Sequence, residues 1–544
     1  MGRRQNDAEE ALHDQSNILP FRQLILVLCV LSGSLLIVLI DQNAVGVALP
    51  TIGRELDAEN TITWAGTSSL IGSTMFSALY GRLSDIFSRK AVYISALVVL
   101  CLSDLLCGFA QNAMMFYIFR GFAGLAGGGV LSLTSIIVSD IVTLENRGKY
   151  QGILGSMIGL ANATGPFIAA AFVQRSSWRG FFYLLAPVTG CGAVVAYYLI
   201  PSKMTREDIW KALGLIDYIG ALTSSLGTIF LLIPVSGGGN YFAWDSPMVI
   251  GMLAVGGILL VLFVFIEWKV AILPMLPLSF FKNRIVTTLL VQSFLLGACY
   301  QSRLYYLPLY FQNARQWTPF VSATMILPMV LPQSLASISG GQYMSRVKRF
   351  AEVLWVGYFL WTLGAALTLL FNNHTSRGTI SGVLVVTGLG IGFTFQPGMV
   401  AIQTHVSLAQ RAVVIAGRNF FRCLGGACGL AVSAAILQSG LKASLPEEYK
   451  YLAYSTYTLP PQSSIPEREW TAIVNAYADA SHRVFIFQVP LMALCLLSCV
   501  LVRDEGLRTK DVRDQLQLQV GQNEDRHTPD EETGSRNKEN ECRA

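Results

Sequence analysis

Asp41, Asp104 and Arg120 are charged residues inside runs of apolar residues long enough to cross a bilayer. The runs are "LVLCVLSGSLLIVLIDQNAVGVALP", "AVYISALVVLCLSDLLCGFA" and "MMFYIFRGFAGLAGGG". A guanidinium near the bilayer centre costs at least ~2.5 kcal/mol, so such residues are usually kept for function. Asp41 lies about seventeen residues into the first run, ~26 Å from its start at 1.5 Å per residue. A poorly hydrated carboxylate at that depth can take up and release a proton while a substrate moves. The alternative is that Asp41 only hydrogen-bonds near the outer water. Arg120 also lies toward the outer end of its run, so it either meets a carboxylate such as Asp41 or snorkels to the surface. Asp104 lies deeper and is the second proton-binding candidate. Arg303, in the ninth run, faces either a substrate cavity or the outer interface, and Tyr305 and Tyr306 beside it form either an aromatic wall or an interfacial belt.

"GRLSDIFSRK" (81–90) concentrates charge between two apolar runs. One reading is an anchor for the cytoplasmic side, which needs only Lys and Arg. Asp85 does not serve that purpose, and Gly81 marks a tight turn. The second reading is a latch in which Asp85 and Arg89 form a charge-assisted pair that can break and remake. "GQYMSRVKRF" (341–350) repeats the pattern, with Gly341 on Gly81, Ser345 on Asp85 and Arg349 on Arg89. Repeated halves are characteristic of duplicated transporters, and Ser345 for Asp85 predicts charge pairing in one half only.

The elements that must hold these residues follow from composition. The chain has 544 residues, 53% hydrophobic and 13% charged, with a mean hydropathy of +0.50. That excludes an ordinary soluble protein. Fourteen spans are predicted near 24–49, 62–81, 91–111, 114–139, 150–172, 181–200, 215–235, 248–267, 285–311, 320–343, 351–371, 379–400, 412–437 and 483–502, each sufficient for ~30 Å of hydrocarbon. One set of short connecting loops carries fifteen Lys and Arg and the opposite set five, the long loop 438–482 with its mixed charge set aside, which places both termini in the cytoplasm. The polar first 23 residues give no cleavable leader. Residues 438–482 are predicted as an outer loop, and the polar tail 503–544 as disordered. The cysteines fall mostly within the spans and read as small apolar residues rather than disulfides or metal ligands.

Together these segments resemble the major facilitator superfamily, and within it the fourteen-spanning drug/proton antiporters that include fungal toxin-efflux pumps. "GRLSDIFSRK" is similar to the superfamily's loop signature. "LIDQNAVGVALPTI" (39–52), "RGFAGLAGGG" (120–129) and "ANATGPFIAA" (161–170) match the first-, fourth- and fifth-helix motifs. "WRGFFYLLAP", "LIDYIGA", "YYLPLYFQ" and "FFRCLGGACG" also fit, so the likeness runs over about 24–511. Ala161, Ala169 and Ala170 stand where the fifth-helix motif usually has Gly, and Ala123 where the fourth-helix motif often has Gln.

The resemblance implies an all-α fold: a six-helix bundle (24–200), two extra helices (201–268) and a second six-helix bundle (269–502), between an N-terminal cytoplasmic segment (1–23) and the tail. It implies that Arg120 belongs to the proton-coupling machinery and acts on a nearby carboxylate; Asp104 is a charge that the family pattern does not demand. Gly81, Asp85, Arg89 and Lys90 would form a gate latch tying the second helix to a later one. Gly155, Gly159, Gly165 and Pro166 would form the antiporter motif of a bent, tightly packed fifth helix, although ordinary small-residue packing accounts for them equally. Asn373, in "NHT", is a glycosylation candidate. The expected activity is proton-driven efflux of amphipathic small organic molecules by a monomer in the plasma membrane or, alternatively, the vacuolar membrane. Proton-coupled uptake of a siderophore or nutrient is the other reading. The expected partners are substrate, protons and the bilayer, with no cofactor, metal or nucleic acid. An enzyme is not expected, because no HExxH stands among the five histidines, and no GxxxxGK[ST] loop for ATP is present.

Overall fold

The computed structural model describes residues 18–58, 61–62, 64–201, 217–238, 242–271, 273–372, 374–454, 465–504 and 506–507. Among them run fourteen long helices. The first six are α1 (Phe21–Glu55), α2 (Trp64–Phe87), α3 (Arg89–Gly108), α4 (Ala113–Ile141), α5 (Leu144–Arg175) and α6 (Trp178–Leu199). A pair follows, α7 (Tyr218–Gly237) and α8 (Pro247–Lys269). The last six are α9 (Arg284–Leu309), α10 (Leu327–Val347), α11 (Ala351–Thr368), α12 (Arg377–Gln403), α13 (Arg411–Ser444) and α14 (Glu467–Ser498). Hydrocarbon offers no partner for a backbone N–H or C=O, so apolar runs of this length become helices. Side chains at the ends start them: Asn112 accepts from the Met115 N–H (2.9 Å), and Ser246 accepts from Val249 (3.3 Å) ahead of Pro247.

Thirteen of the helices are long and apolar enough to span a membrane by composition. The exception is α2, "WAGTSSLIGSTMFSALYGRLSDIF", of the same length but rich in Ser, Thr and Gly. Its small side chains are spent on proximity. A Cβ on Gly124 of α4 would lie 1.9 Å from the Ser69 carbonyl oxygen, so α2 and α4 touch through backbone.

Helices α1–α6 pack on one another, as do α9–α14, and the two sets meet along α2–α13 and α5–α10. Helix α7 leans on α2 and α13, and α8 packs mainly on α7. The repeat seen in the sequence survives in the backbone: Ser88 (φ 112°) and Lys348 (φ 64°) occupy matching places after Gly81 and Gly341, and both have positive φ. These residues make the turns. Gly81 itself lies inside α2, so its expected place in a tight turn is not found.

The expected outer loop at 438–482 is also much shorter. Helix α13 runs on to Ser444 and α14 starts at Glu467, beyond the apolar stretches that marked them. These extensions stay helical because they are amphipathic: Trp470, Ile473, Tyr477 and Ala480 are buried, and the Tyr449 hydroxyl donates to Glu469 (2.6 Å). The start of the tail predicted as disordered from 503 is instead packed: Asp504 accepts from the Phe350 and Ala351 N–H groups (2.8 and 2.9 Å), and Leu507 is buried with its N–H on the Lys348 carbonyl (2.9 Å). Residues 1–17 and 508–544 lie outside the described residues.

A leucine at Gly425 tests the backbone contact between α9 and α13. A Cβ there would stand 2.0 Å from the Phe294 carbonyl oxygen, whereas one on Gly46 would meet nothing within 4 Å. Gly425→Leu should cost about 1–3 kcal/mol or more and lower the melting temperature in detergent, and Gly46→Leu should not. Equal melting curves for the two variants would contradict this packing.

Candidate functional site

Asp41 (α1), Asp104 (α3) and Arg120 (α4) come together in the first six-helix set. Arg120 Nη1 donates to both carboxylate oxygens of Asp41, at 2.7 and 2.8 Å, and each side chain is 1% exposed. Snorkelling is therefore not what Arg120 does. Asp104 is 0% exposed and within electrostatic range of both partners, yet neither of its oxygens has a hydrogen bond among the described residues. Two carboxylates thus surround one guanidinium away from water. Asp41 takes both hydrogen bonds from Arg120 Nη1, and Asp104 is the second carboxylate held beside them without one among the described residues. α1 and α4 bring Asp41 and Arg120 together from 79 positions apart.

At one end of the bundle, Asp85 in the last turn of α2 faces Arg89, the first residue of α3. Arg89 Nη1 lies 2.6 Å from Asp85 and also donates to Ser84 (2.8 Å), while its Nε donates to Asp140 of α4 (2.8 Å). Asp140 was not singled out from the sequence; it looks like any polar residue at a helix end. Lys90 does not join the cluster. Its ammonium lies 4.7 Å from the centre of the Tyr197 ring on α6. Gly81 serves proximity: a Cβ there would come within 2.7 Å of the Ala416 Cβ and 3.0 Å of the Ala412 carbonyl oxygen on α13. The ion pairs therefore hold the end of α2 in place while Gly81 lets it touch the other half.

Arg82 extends this cluster to the extra helices. Its Nε donates to the Pro274 carbonyl (2.6 Å), in the connection between α8 and α9. That connection is held by Glu267, buried at the end of α8, which accepts from the N–H groups of Met275 (3.0 Å) and Leu276 (3.4 Å). Nothing in the local sequence of Glu267 marks it, since a carboxylate at the end of a span reads as an ordinary interfacial charge.

The second copy of the loop works differently. The Ser345 hydroxyl accepts from the Lys149 N–H of α5 (3.0 Å), and Arg349 pairs with Glu352 at an exposed surface (3.4 Å). Lys348 Nζ reaches Glu145 of α5 (2.6 Å). The Asp-to-Ser difference thus replaces a charge cluster within one half by a hydrogen bond between halves. Above it, Gly155 and Gly159 of α5 face α10: their Cβ atoms would lie 2.1 Å from Ser337 Oγ and 2.0 Å from Ser334 Oγ. Gly165 instead faces α1 at ordinary distances, 3.4 Å from the Ile40 oxygen, and the helix continues through Pro166.

Polar groups meet in the middle of the same seam. Asn162 of α5 donates to the Tyr300 hydroxyl of α9 (2.6 Å), and Gln333 of α10 lies 3.5 Å from it. Arg422 of α13 is within electrostatic range of Tyr300, and Arg418, one turn before it, is buried and donates to the Phe395 carbonyl (2.8 Å). Among the described residues no carboxylate pairs with Arg418 or Arg422. Asn419 of α13 donates to Ser132 of α4 across the halves (3.1 Å). These residues were not singled out from the sequence. "AGRNFFRC" signals one buried cation, Arg418, and one half-buried cation, Arg422, only once the packing of α13 is known.

Arg303, Tyr305 and Tyr306 do not join this cluster. Arg303 is fully buried inside the second half and donates to Gln488 (3.1 Å), Thr368 (3.1 Å) and Thr387 (3.4 Å). It therefore neither snorkels nor faces the seam. Tyr306 is buried with its hydroxyl on the Leu430 carbonyl (3.3 Å), whereas Tyr305 is 37% exposed. Asn373 lies outside the described residues. Nine cysteines among the described residues are free, and Cys29 and Cys191 are exposed rather than buried.

Residues 31–430 match the family model of the Major Facilitator Superfamily. The chain belongs to that superfamily. It is 45% identical over 506 residues to Citrate exporter 1 of Yarrowia lipolytica, covering 92% of this chain and 75% of that one. To the MFS-type transporter clz4 of Cochliobolus lunatus it is 40% identical over 501 residues, covering 92% and 89%. To the efflux pump dotC of Dothistroma septosporum it is 30% identical over 423 residues, covering 78% and 73%. Among solved structures, the human organic anion transporter MFSD10 superposes with a TM-score of 0.58 at 14% identity, covering 89% of this chain and all of the other, a likeness of fold. This major facilitator chain is a multi-pass membrane transporter.

The cluster around Arg89 makes a prediction that needs no substrate. A cysteine at Ala412, opposite Gly81, should react with maleimide several-fold faster when Asp85→Asn or Glu267→Ala is added, because the end of α2 is no longer held. Ser345→Ala should change that rate much less. An unchanged rate in Asp85→Asn would show that the ion pairs do not hold this contact.

Proposed function

We propose that this transporter exports small organic polyacids of the citrate class from the cell, driven by protons. The observation that carries the reading is the pair of cations at the seam, Arg418 and Arg422, with no carboxylate partner among the described residues and with Tyr300, Asn162 and Gln333 close by. A guanidinium binds carboxylates bidentately, and two of them beside neutral donors suit a ligand with several. The 45% identity to a chain named for citrate export supports the same class. Asp41, Arg120 and Asp104 would supply the coupling: a proton arriving at the pair loosens Asp41 from Arg120, and the packing of α1 on α4 changes with it. The Asp85–Arg89–Asp140 cluster would latch the cytoplasmic end, and the Gly155–Gly159 seam would keep the pathway from leaking. The excess of Lys and Arg on the latch side supports cytoplasmic termini, and by resemblance the plasma membrane is the site of action.

A second reading is efflux of a larger amphipathic metabolite. Aromatic rings beside the seam favour it: Tyr300 packs edge-on to Phe395 (4.9 Å), which stacks on Trp361 (6.4 Å). The efflux pump dotC is a relative consistent with it.

Inside-out vesicles with an imposed proton gradient and radiolabelled citrate separate the two. Citrate should accumulate against its gradient, and Arg422→Gln should reduce this at least tenfold while a fluorescent amphipathic dye is unaffected. Transport of the dye but not of citrate would replace the first reading by the second. Asp41→Asn should still bind substrate but lose gradient-driven accumulation, since Asn cannot titrate. Unchanged accumulation with unchanged pH dependence would remove Asp41 from the coupling. A tag in 450–470 should be reachable from outside intact cells and one in 520–540 only after permeabilisation; both on one side would overturn the orientation.

A further inference from the structure

A groove of about 560 Å³ lies outside the seam, where α7 and the connection after it lean against α13 and α14. Val235 and Trp244 form one wall, and Cys428, Ala431, Val432, Ala435 and Ser439 of α13 the other. Arg483 of α14 closes one end. Neither Arg418 nor Arg422, nor any residue named beside them in the seam, lines this groove.

Its layout has a polarity. Helix α13 starts at Arg411 on the latch side, so Cys428 lies near its middle and Ser439 toward its far end. Arg483 is at that far end: its Cδ would be 3.4 Å from a Cβ on Gly440. The lining from Cys428 to Ser439 spans eleven residues, ~16 Å at 1.5 Å per residue. That matches one leaflet, roughly half of ~30 Å of hydrocarbon. The groove is thus apolar from mid-membrane to the interface and cationic at the interface. A phospholipid has the same order, acyl chain inward and phosphate outward.

Arg483 is exposed, and no carboxylate pairs with it among the described residues. A guanidinium in this position attracts an anionic headgroup, and a phosphate matches its fork of donors. We propose that the groove is a binding site for one anionic phospholipid from the leaflet opposite the latch, its acyl chain between α7 and α13 and its phosphate on Arg483. The site would tie the extra helices to the second half through lipid. A zwitterionic lipid fits the apolar wall equally well but leaves the cation uncompensated by net charge, so headgroup charge is the discriminating property.

Trp244 in the wall is a built-in reporter. The purified full chain is placed in nanodiscs containing brominated-acyl phosphatidylglycerol or brominated-acyl phosphatidylcholine, diluted into unlabelled phosphatidylcholine. Subtracting the signal of Trp244→Phe isolates the quenching of this one tryptophan among nine. Quenching should half-saturate at about fivefold lower mole fraction of the anionic lipid, as expected for one cation at a membrane surface. Arg483→Gln should remove that preference and Arg483→Lys keep most of it. Equal half-saturation for the two lipids in the unmodified chain means ordinary annular lipid and overturns the proposal. So does the absence of Trp244-dependent quenching at every composition, the result if a second copy of the chain covers the groove. Citrate transport has no part in this readout, so failure of the proposed function leaves the lipid site standing, and the reverse.

Discussion

Burial of charge in a medium without water is the constraint on which this structure turns. An unpaired guanidinium in hydrocarbon is costly, and so is an unpaired carboxylate, so Arg120 and Asp41 hold their two helices together. Removing either partner leaves the other buried, at a cost of about 3–5 kcal/mol. That makes the pair a strong tether between α1 and α4. Asp104 stands beside the pair as a second buried carboxylate.

The two halves meet by a different means. Hydrophobic burial cannot join helices already surrounded by lipid tails, so contact depends on how closely backbones approach. Gly81 against α13 and Gly155 and Gly159 against α10 provide that approach. Such seams can separate without stranding a charge, which suits surfaces that must part during transport. At one end, Asp85, Arg89 and Asp140 hold helices of one half, and Lys348 with Glu145 reaches across to the other. The extra pair α7–α8 joins this end as well, through Glu267, the turn it holds and the Pro274 carbonyl on Arg82.

The duplicated loops keep a positive φ at the matching position and differ in chemistry. Ser88 (ψ 148°) caps the start of α3, whereas Lys348 (ψ 26°) ends α10 in the αL conformation. With Asp85 the first copy organises charges within its half. With Ser345 the second donates no charge and instead accepts a hydrogen bond from α5. One symmetric fold thereby carries two unlike ends, as a pathway with different demands on its two seams requires.

The helices, their number and the class of the protein were legible from the residues alone, because apolar length and the period of a span are local properties that hydrocarbon enforces. The suspicion attached to Asp41, Asp104 and Arg120 was legible for the same reason: a charge in a span is conspicuous wherever the helix packs. Their meeting was not, since it depends on the rotation of three helices about their own axes. The ends of α13 and α14 were missed because amphipathic extensions carry no apolar run. Gly81 was read as a turn, because a glycine before charges looks the same whether it bends a chain or lets another helix approach. Arg303 was read as facing either a cavity or the outer interface, and only packing against Gln488, Thr368 and Thr387 put it in the core. Asp140, Glu267, Arg418 and Arg422 had no distinguishing pattern in one dimension. Their partners lie on other helices, and which face of a helix meets which neighbour is decided by the summed fit of all fourteen.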